Sequence, residues 1–290
     1  MNWTAEKLAA EVSSVCSLPT IYFRLNELVN DIHVSNKDVG ALISEDAGLS
    51  VRLLRMVNSA FFGFPSGIDT ITRAVTVIGT RQLSDLVLMT SVVDMFDGIP
   101  NEIANMELFW RHSIATGVSA RVLANYHREI NVERFFVAGL LHDIGRLVIF
   151  QKLPEETTEI LSLLDEKEAP LHVAEKQVLG FDHADVGRAM LEQWGLPEHL
   201  VVAVGAHHQP SVLDEIDVDS AIVHVADVIA NAMGMGWATE VHVPGLDEAA
   251  WQQIGLPVSI LSPAVEQIKR QYDDAVELIF SDKAVASSAA

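Results

Sequence analysis

Apolar residues recur at helical spacing along nearly the whole chain, and two-residue alternation is scarce, so the sequence predicts an all-α fold. Ile71, Ala74, Val75 and Ile78 trace one helix face, with Asp69 or Thr70 placed to cap its start. Leu49, Leu53, Met56 and Val57 trace another, with Arg52 and Arg55 on the opposite side. Val186, Met190 and Trp194 make a third stripe, stopped by Gly195. Pro197 and Pro263 suit the first turns of further helices. Val241-His242-Val243 is the one strand-like stretch, and it is too short to change the class.

Breaks fall at Gly63-Phe64-Pro65-Ser66-Gly67 and at Asp97-Gly98-Ile99-Pro100-Asn101. The second divides the chain into an expected N-terminal helical lobe (1–98) and a larger helical core with C-terminal helices (99–280). A loop is expected near Lys167 to Pro170. The last ten residues, 281–290, read as a flexible tail.

With 290 residues, 49% of them hydrophobic, the chain can bury a sizeable core, and general disorder is excluded. The net charge of -21 argues against nucleic acid or a membrane surface as a partner, since both are anionic. The acidity is read first as a solubilising surface. Cys16 is the lone cysteine, so no intramolecular disulfide forms; it is read as structural, in a reducing compartment. Residues Met1 to Lys7 lack the pattern of a signal peptide, and the apolar runs are too short to span a bilayer. The expectation is a soluble, cytoplasmic protein.

The 11 histidines carry the chemistry. His112 lies in Phe109-Trp110-Arg111-His112-Ser113, and His142 and Asp143 lie in Gly139-Leu140-Leu141-His142-Asp143-Ile144-Gly145-Arg146. His183 lies in Phe181-Asp182-His183-Ala184-Asp185, His207 and His208 end an apolar helix, and Asp227 lies in His224-Val225-Ala226-Asp227. Imidazole and carboxylate together suit zinc, iron, manganese or nickel, and a carboxylate can bridge two ions. Neighbours on a helix point about 100° apart, so His142 and Asp143 could both reach an ion between them. Burying so many polar groups without partners is costly, which gives the set weight as a whole.

The order His, His-Asp, His, His-His, Asp resembles that of the HD superfamily of metal-dependent phosphohydrolases, particularly its HD-GYP branch. The N-terminal half narrows this. Leu18-Pro19-Thr20, Ile43-Ser44-Glu45-Asp46-Ala47-Gly48-Leu49-Ser50, Leu53 to Gly63 (with Asn58-Ser59-Ala60 at its centre) and Ile71 to Gly79 are similar to the HDOD family of HD-related output domains. The resemblance runs from about Leu18 to about Ala230. It implies an HD-like helical bundle in a bacterial signalling protein, acting as an output or scaffold module. It also implies a signalling-protein partner, and a nucleotide or phosphate as ligand. Catalysis is not general in that family, so a phosphohydrolase acting through a dinuclear site is the alternative. The chain departs from HD-GYP at three places. Gln209-Pro210-Ser211-Val212 replaces the Gly-Tyr-Pro signature, Arg146 replaces a lysine, and Leu108 stands where a glutamate ligand belongs.

The resemblance implies a site for one or two ions. His142 and Asp143 would be ligands, with Asp143 bridging, or else a hydrogen-bonded pair closing a helix before Gly145. His112 and Asp227 would complete one metal position, or else form a satisfied hydrogen bond between helices. His183, His207 and His208 would complete the second, with His208 alternatively a helix-end cation. Arg146 shares a helix face with the pair and would clamp phosphate oxygens as a catalytic residue, or else be a solvated charge. Asn58, Ser59 and Gly63 are read as structural, and Phe61, Phe62 and Phe64 as core or interface. His33, His127, His172, His199, His224 and His242 have no motif support.

Overall fold

A computed structural model describes residues 3–13, 18–63, 67–96, 105–167, 170–235 and 243–287. It is 76% helical, and no strand occurs among the described residues. Cys16, Phe64, His242, the boundary at 97–101 and most of the strand-like stretch lie outside them. The helices, in order, are α1 (Ala5–Ser13), α2 (Thr20–Val29), α3 (Asn36–Ser44), α4 (Ala47–Val57), α5 (Ile71–Ile78) and α6 (Thr80–Met95). Next come α7 (Met106–His127), α8 (Glu133–Leu141), α9 (Ile144–Lys152), α10 (Pro154–Lys167) and α11 (Leu171–Leu179). Last are α12 (His183–Gln193), α13 (Glu198–Gly205), α14 (Val218–Ala232), α15 (Glu248–Ile254) and α16 (Leu261–Ser287). The expected flexible tail is therefore helical as far as Ser287. None of the described helices is long and apolar enough to cross a membrane.

Local chemistry explains many of the starts. Thr70, not Asp69, caps α5 by accepting from the Arg73 N–H. Asp46 caps α4 through Leu49, and Ser35 with Asp38 forms a capping box on α3. Asp182 and Asp185 make the same box at the start of α12, so the residue ahead of His183 sets that helix's entry. Pro197 sits at the cap of α13, one residue ahead of the expected first turn. Gly195 takes φ +64, which lets the chain leave α12 at the end of the Trp194 stripe.

The chain forms two compact units. The first comprises Met1–Ser17 and Phe96–Val265, and the second Leu18–Met95 and Glu266–Ala290. Residues 1–17 thus depart from the expected N-terminal lobe. The reason is packing: Leu8, Ala9 and Val12 of α1 are fully buried, and α1 lies on α12 and α9.

In the first unit α7 is central, packed on α8 and α14. Close approach of α7 and α8 depends on a glycine pair: a β-carbon on Gly139 would stand 2.8 Å from the Gly117 Cα. In the second unit α3 packs on α5, and α2 on α3 and α6. Asn58 ties this unit together at the end of α4. Its amide donates to the Leu54 and Ile68 carbonyls, and its oxygen accepts from the Ile68 N–H. Phe61 and Phe62 are buried and meet edge to face.

Candidate metal centre

The first unit gathers the seven sequence-predicted ligand positions into one buried cluster. His112 comes from α7 and Asp227 from α14. His142 and Asp143 occupy the break between α8 and α9, not the interior of one helix. His183 opens α12, and His207 and His208 follow the end of α13. His112, His142, Asp143, His183 and His207 are each 1% exposed or less.

Asp143 stands between two groups of imidazoles. Its Oδ2 lies 3.3 Å from His142 Nε2 and 3.7 Å from His112 Nε2. Its Oδ1 lies 3.1 Å from His183 Nε2 and 3.7 Å from His207 Nε2. Asp227 Oδ1 closes the first side, 3.1 Å from His112 Nε2 and 3.6 Å from His142 Nε2. His208 Nε2 closes the other, 2.8 Å from His183 Nε2. Three sets of ligand atoms lie within 4.8 Å of one another: His112, His142 and Asp227; His142, Asp143 and His207; and His183, His207 and His208.

Surrounding groups orient these rings. A carbonyl can only accept, so the Gly139 carbonyl 2.7 Å from His142 Nδ1 requires a proton on that nitrogen. The Val204 carbonyl does the same for His207 at 2.7 Å. In the neutral rings, both Nε2 lone pairs then face the cluster, the arrangement of metal-bound histidines. Buried Glu175 holds His183, with its carboxylate 2.6 Å from Nδ1 and accepting the backbone N–H at 2.9 Å. His224 braces the turn: Nδ1 donates to the His207 carbonyl, and Nε2 accepts from the Asp247 N–H.

The electrostatics follow from burial and from the two carboxylates. Burial alone would raise Asp143, but Arg146 and His142 overcome it and hold the carboxyl well below its usual range. Asp227 is likewise low despite burial, because His112 and His142 face it. Burial works against a charged His142, yet Asp143 and Asp227 bring its pKa up to about 10. Burial and the neighbouring His142 and His183 push His207 down to about 3. His208 is also well below its ordinary value, through burial and then His207. These surroundings favour the neutral form of His208.

These residues fit a metal ion. His112 Nδ1 and Nε2, His142 Nε2, His207 Nε2 and both Asp143 oxygens are buried without a hydrogen-bond partner. His112 Nε2 faces Asp227 Oδ1 at 3.1 Å. Leaving such groups unpaired costs about 1–3 kcal/mol each, more for charged ones. A divalent ion engages the same lone pairs at once.

Two expectations change. Arg146 is not a solvated charge; it is 2% exposed, with Nε 3.1 Å from Asp143 Oδ1. His172 is not background; its ring stacks on His208 at 3.9 Å, and burial pushes its pKa down to about 4. A cavity of about 470 Å³ opens here, lined by His172, Lys176, Asp182, His208, Gln209 and Ser211 among others. Glu175 and Lys176 were also missed. Their one sequence signal is spacing, since His172, Glu175 and Lys176 fall on one face of α11.

The HDOD domain family matches residues 15–210. An uncharacterized protein from Treponema pallidum (strain Nichols) is 27% identical over 205 residues, covering 70% of this chain and 39% of its own length. This chain thus spans about two-fifths of that relative. A crystal structure of an HDOD domain protein of unknown function from Geobacter sulfurreducens superposes with TM-score 0.71 at 23% identity, covering 96% of each chain. Another, from Shewanella amazonensis SB2B, whose name suggests a metal-dependent phosphohydrolase, gives 0.66 at 20% identity over 95% of this chain and 99% of its own. At these identities the likeness to solved structures is one of fold, while the family match covers more than half of the sequence. This chain belongs to the HDOD domain family.

Proposed function

We propose that the chain is a bacterial, cytoplasmic signal-transduction module, an output or scaffold domain, that holds a divalent transition metal in its HD-like cleft. The observation that carries the metal is Asp143, buried among imidazoles with both oxygens lacking a hydrogen-bond partner. His112, His142, Asp143 and Asp227 are the ligands on one side, and His183, His207 and His208 are candidates on the other. Iron, manganese, nickel and zinc all suit this nitrogen–oxygen set. The signalling role rests on family membership, and on a structural relative from Marinobacter aquaeolei VT8 whose name suggests a signal transduction protein. Its output passes to a signalling protein partner, not to nucleic acid or a membrane. The chain's charge of -21 is unfavourable to both of those.

The cavity beside His208 favours a second reading, a metal-dependent phosphohydrolase acting on a phosphoester or nucleotide. Lys176, paired with Asp182 at 2.8 Å, and Gln209 line it and carry further N–H groups that could donate to a phosphate oxygen. A bound ion would supply Lewis acidity toward a phosphoryl oxygen. In that reading Arg146 is the catalytic candidate from this chain, holding Asp143 in place and offsetting its charge.

Elemental analysis of protein purified without chelators tests the metal. At least one equivalent of a transition metal is expected, and His142→Ala and Asp143→Ala are each expected to release it. Protein that contains none and takes up none on reloading would remove both readings of the centre. Turnover of phosphodiester substrates by the loaded protein would then favour the enzyme over the scaffold.

A further inference from the structure

The two sides of the cluster differ in how their ligand atoms are already engaged. On the first side, His112 Nε2, His142 Nε2 and Asp143 Oδ2 are buried and unpaired. On the second, His183 Nε2 faces His208 Nε2 at 2.8 Å, and Arg146 Nε approaches it at 3.4 Å. The same Arg146 Nε lies 3.1 Å from Asp143 Oδ1, the oxygen turned toward His183 and His207. His207 Nε2 is unpaired but reaches either side, grouping with His142 and Asp143 as well as with His183 and His208.

Arg146 thus brings a permanent positive charge to two of the atoms that a second ion would need. A guanidinium does not lose its proton in a protein, so this charge is present at every working pH. At 2% exposure it is held inside the fold, where little water screens it from another cation. On the first side the carboxylates, Asp143 and Asp227, face imidazoles, whose protons can be displaced by a metal ion.

We propose that Arg146 stands in for a second metal: the centre takes one divalent ion, on the His112–His142–Asp143–Asp227 side, and the guanidinium neutralises the His183 side. This rests on the metal-holding reading above and narrows it. It also gives the Lys-to-Arg departure from the HD-GYP pattern a physical role. The Nε–H of Arg146 is directed at His183 Nε2, and the guanidinium charge lies beside Asp143 Oδ1 at ion-pair distance.

The test counts ions and does not depend on turnover. The full chain is stripped with chelator, reloaded with excess manganese and passed through a desalting column. Wild type is expected to retain one manganese per chain, with the electron paramagnetic resonance spectrum of an isolated ion. Arg146→Ala and Arg146→Gln are expected to retain two, with a spectrum broadened by coupling through Asp143. Two ions in wild type, or a coupled spectrum there, overturns the proposal and leaves the metal-holding reading standing. One ion in both variants does the same. If neither variant folds, the wild-type count and spectrum decide it. No retained manganese in wild type, and no uptake of zinc, iron or nickel, overturns the metal-holding reading and the proposal together.

Discussion

Gly145 and His183 meet backbone to backbone, so closely that a β-carbon on Gly145 would overlap the His183 carbonyl oxygen and stand 2.8 Å from the Gly187 N. The contact joins the start of α9 to the start of α12, and so sets the distance between Asp143 and His183. Gly145→Ala is expected to destabilise the first unit by about 1–3 kcal/mol, as overpacking of backbone does. Denaturant unfolding measures the cost. A variant as stable as wild type would show that α12 shifts freely at this point.

Asp143→Asn keeps the shape and removes the charge. In wild type, a divalent metal at about a hundredfold over its dissociation constant adds about 2.7 kcal/mol of stability. The variant is expected to lose most of that increment while its metal-free stability changes less. Thermal unfolding with and without added metal separates the two quantities. An undiminished increment would mean that Asp143 is not a ligand.

Acid should destabilise the metal-free protein through its depressed histidines. His172 and His207 lie at about 4 and about 3, below the ordinary 6.5. As pH falls below about 6.5, the unfolded chain gains protons that the folded chain refuses, so stability drops. The loss continues until the pH reaches the folded values. His172→Gln is expected to flatten part of this limb, by on the order of 2 kcal/mol. Unfolding midpoints between about pH 4 and 7 check it; an unchanged slope would remove His172 from the account.

Asn58 makes a prediction confined to the second unit. Asn58→Ala removes three side-chain hydrogen bonds, two with the Ile68 backbone and one to the Leu54 carbonyl. A loss of about 1–2 kcal/mol is expected, because the Ile68 N–H loses its acceptor. Metal content should stay at the wild-type value. A parallel fall in metal content would mean that the two units are energetically coupled.

The helical class was legible because it rests on a local pattern. Ile71, Ala74, Val75 and Ile78 are all buried as their spacing predicts. His112, His142, Asp143, His183, His207, His208 and Asp227 converge through the packing of the helices that carry them. What was not legible came from contacts between distant segments. His172 has no neighbour in sequence that marks it, and only the packing of α11 brings it onto His208. Glu175 reads as one more surface charge until its carboxylate is found buried against His183. Arg146 looked evenly placed between clamp and solvated charge because spacing specifies a face, not whether that face is inside. Residues 1–17 read as part of the N-terminal lobe because nothing in α1 names α12 as its support.

The candidates His112, His142, Asp143 and Asp227 are drawn from α7, the α8–α9 break and α14, with no two of these elements supplying all four. No fragment that lacks α7 or α14 therefore carries that set. The set is complete only when α7, the α8–α9 break and α14 are packed together, so binding of an ion there would be linked to folding of the first unit. A chelator, by the same linkage, would act on this protein as a mild denaturant. Metal retention would then serve as a quality mark for the whole first unit, sensitive to damage at positions that touch no ligand.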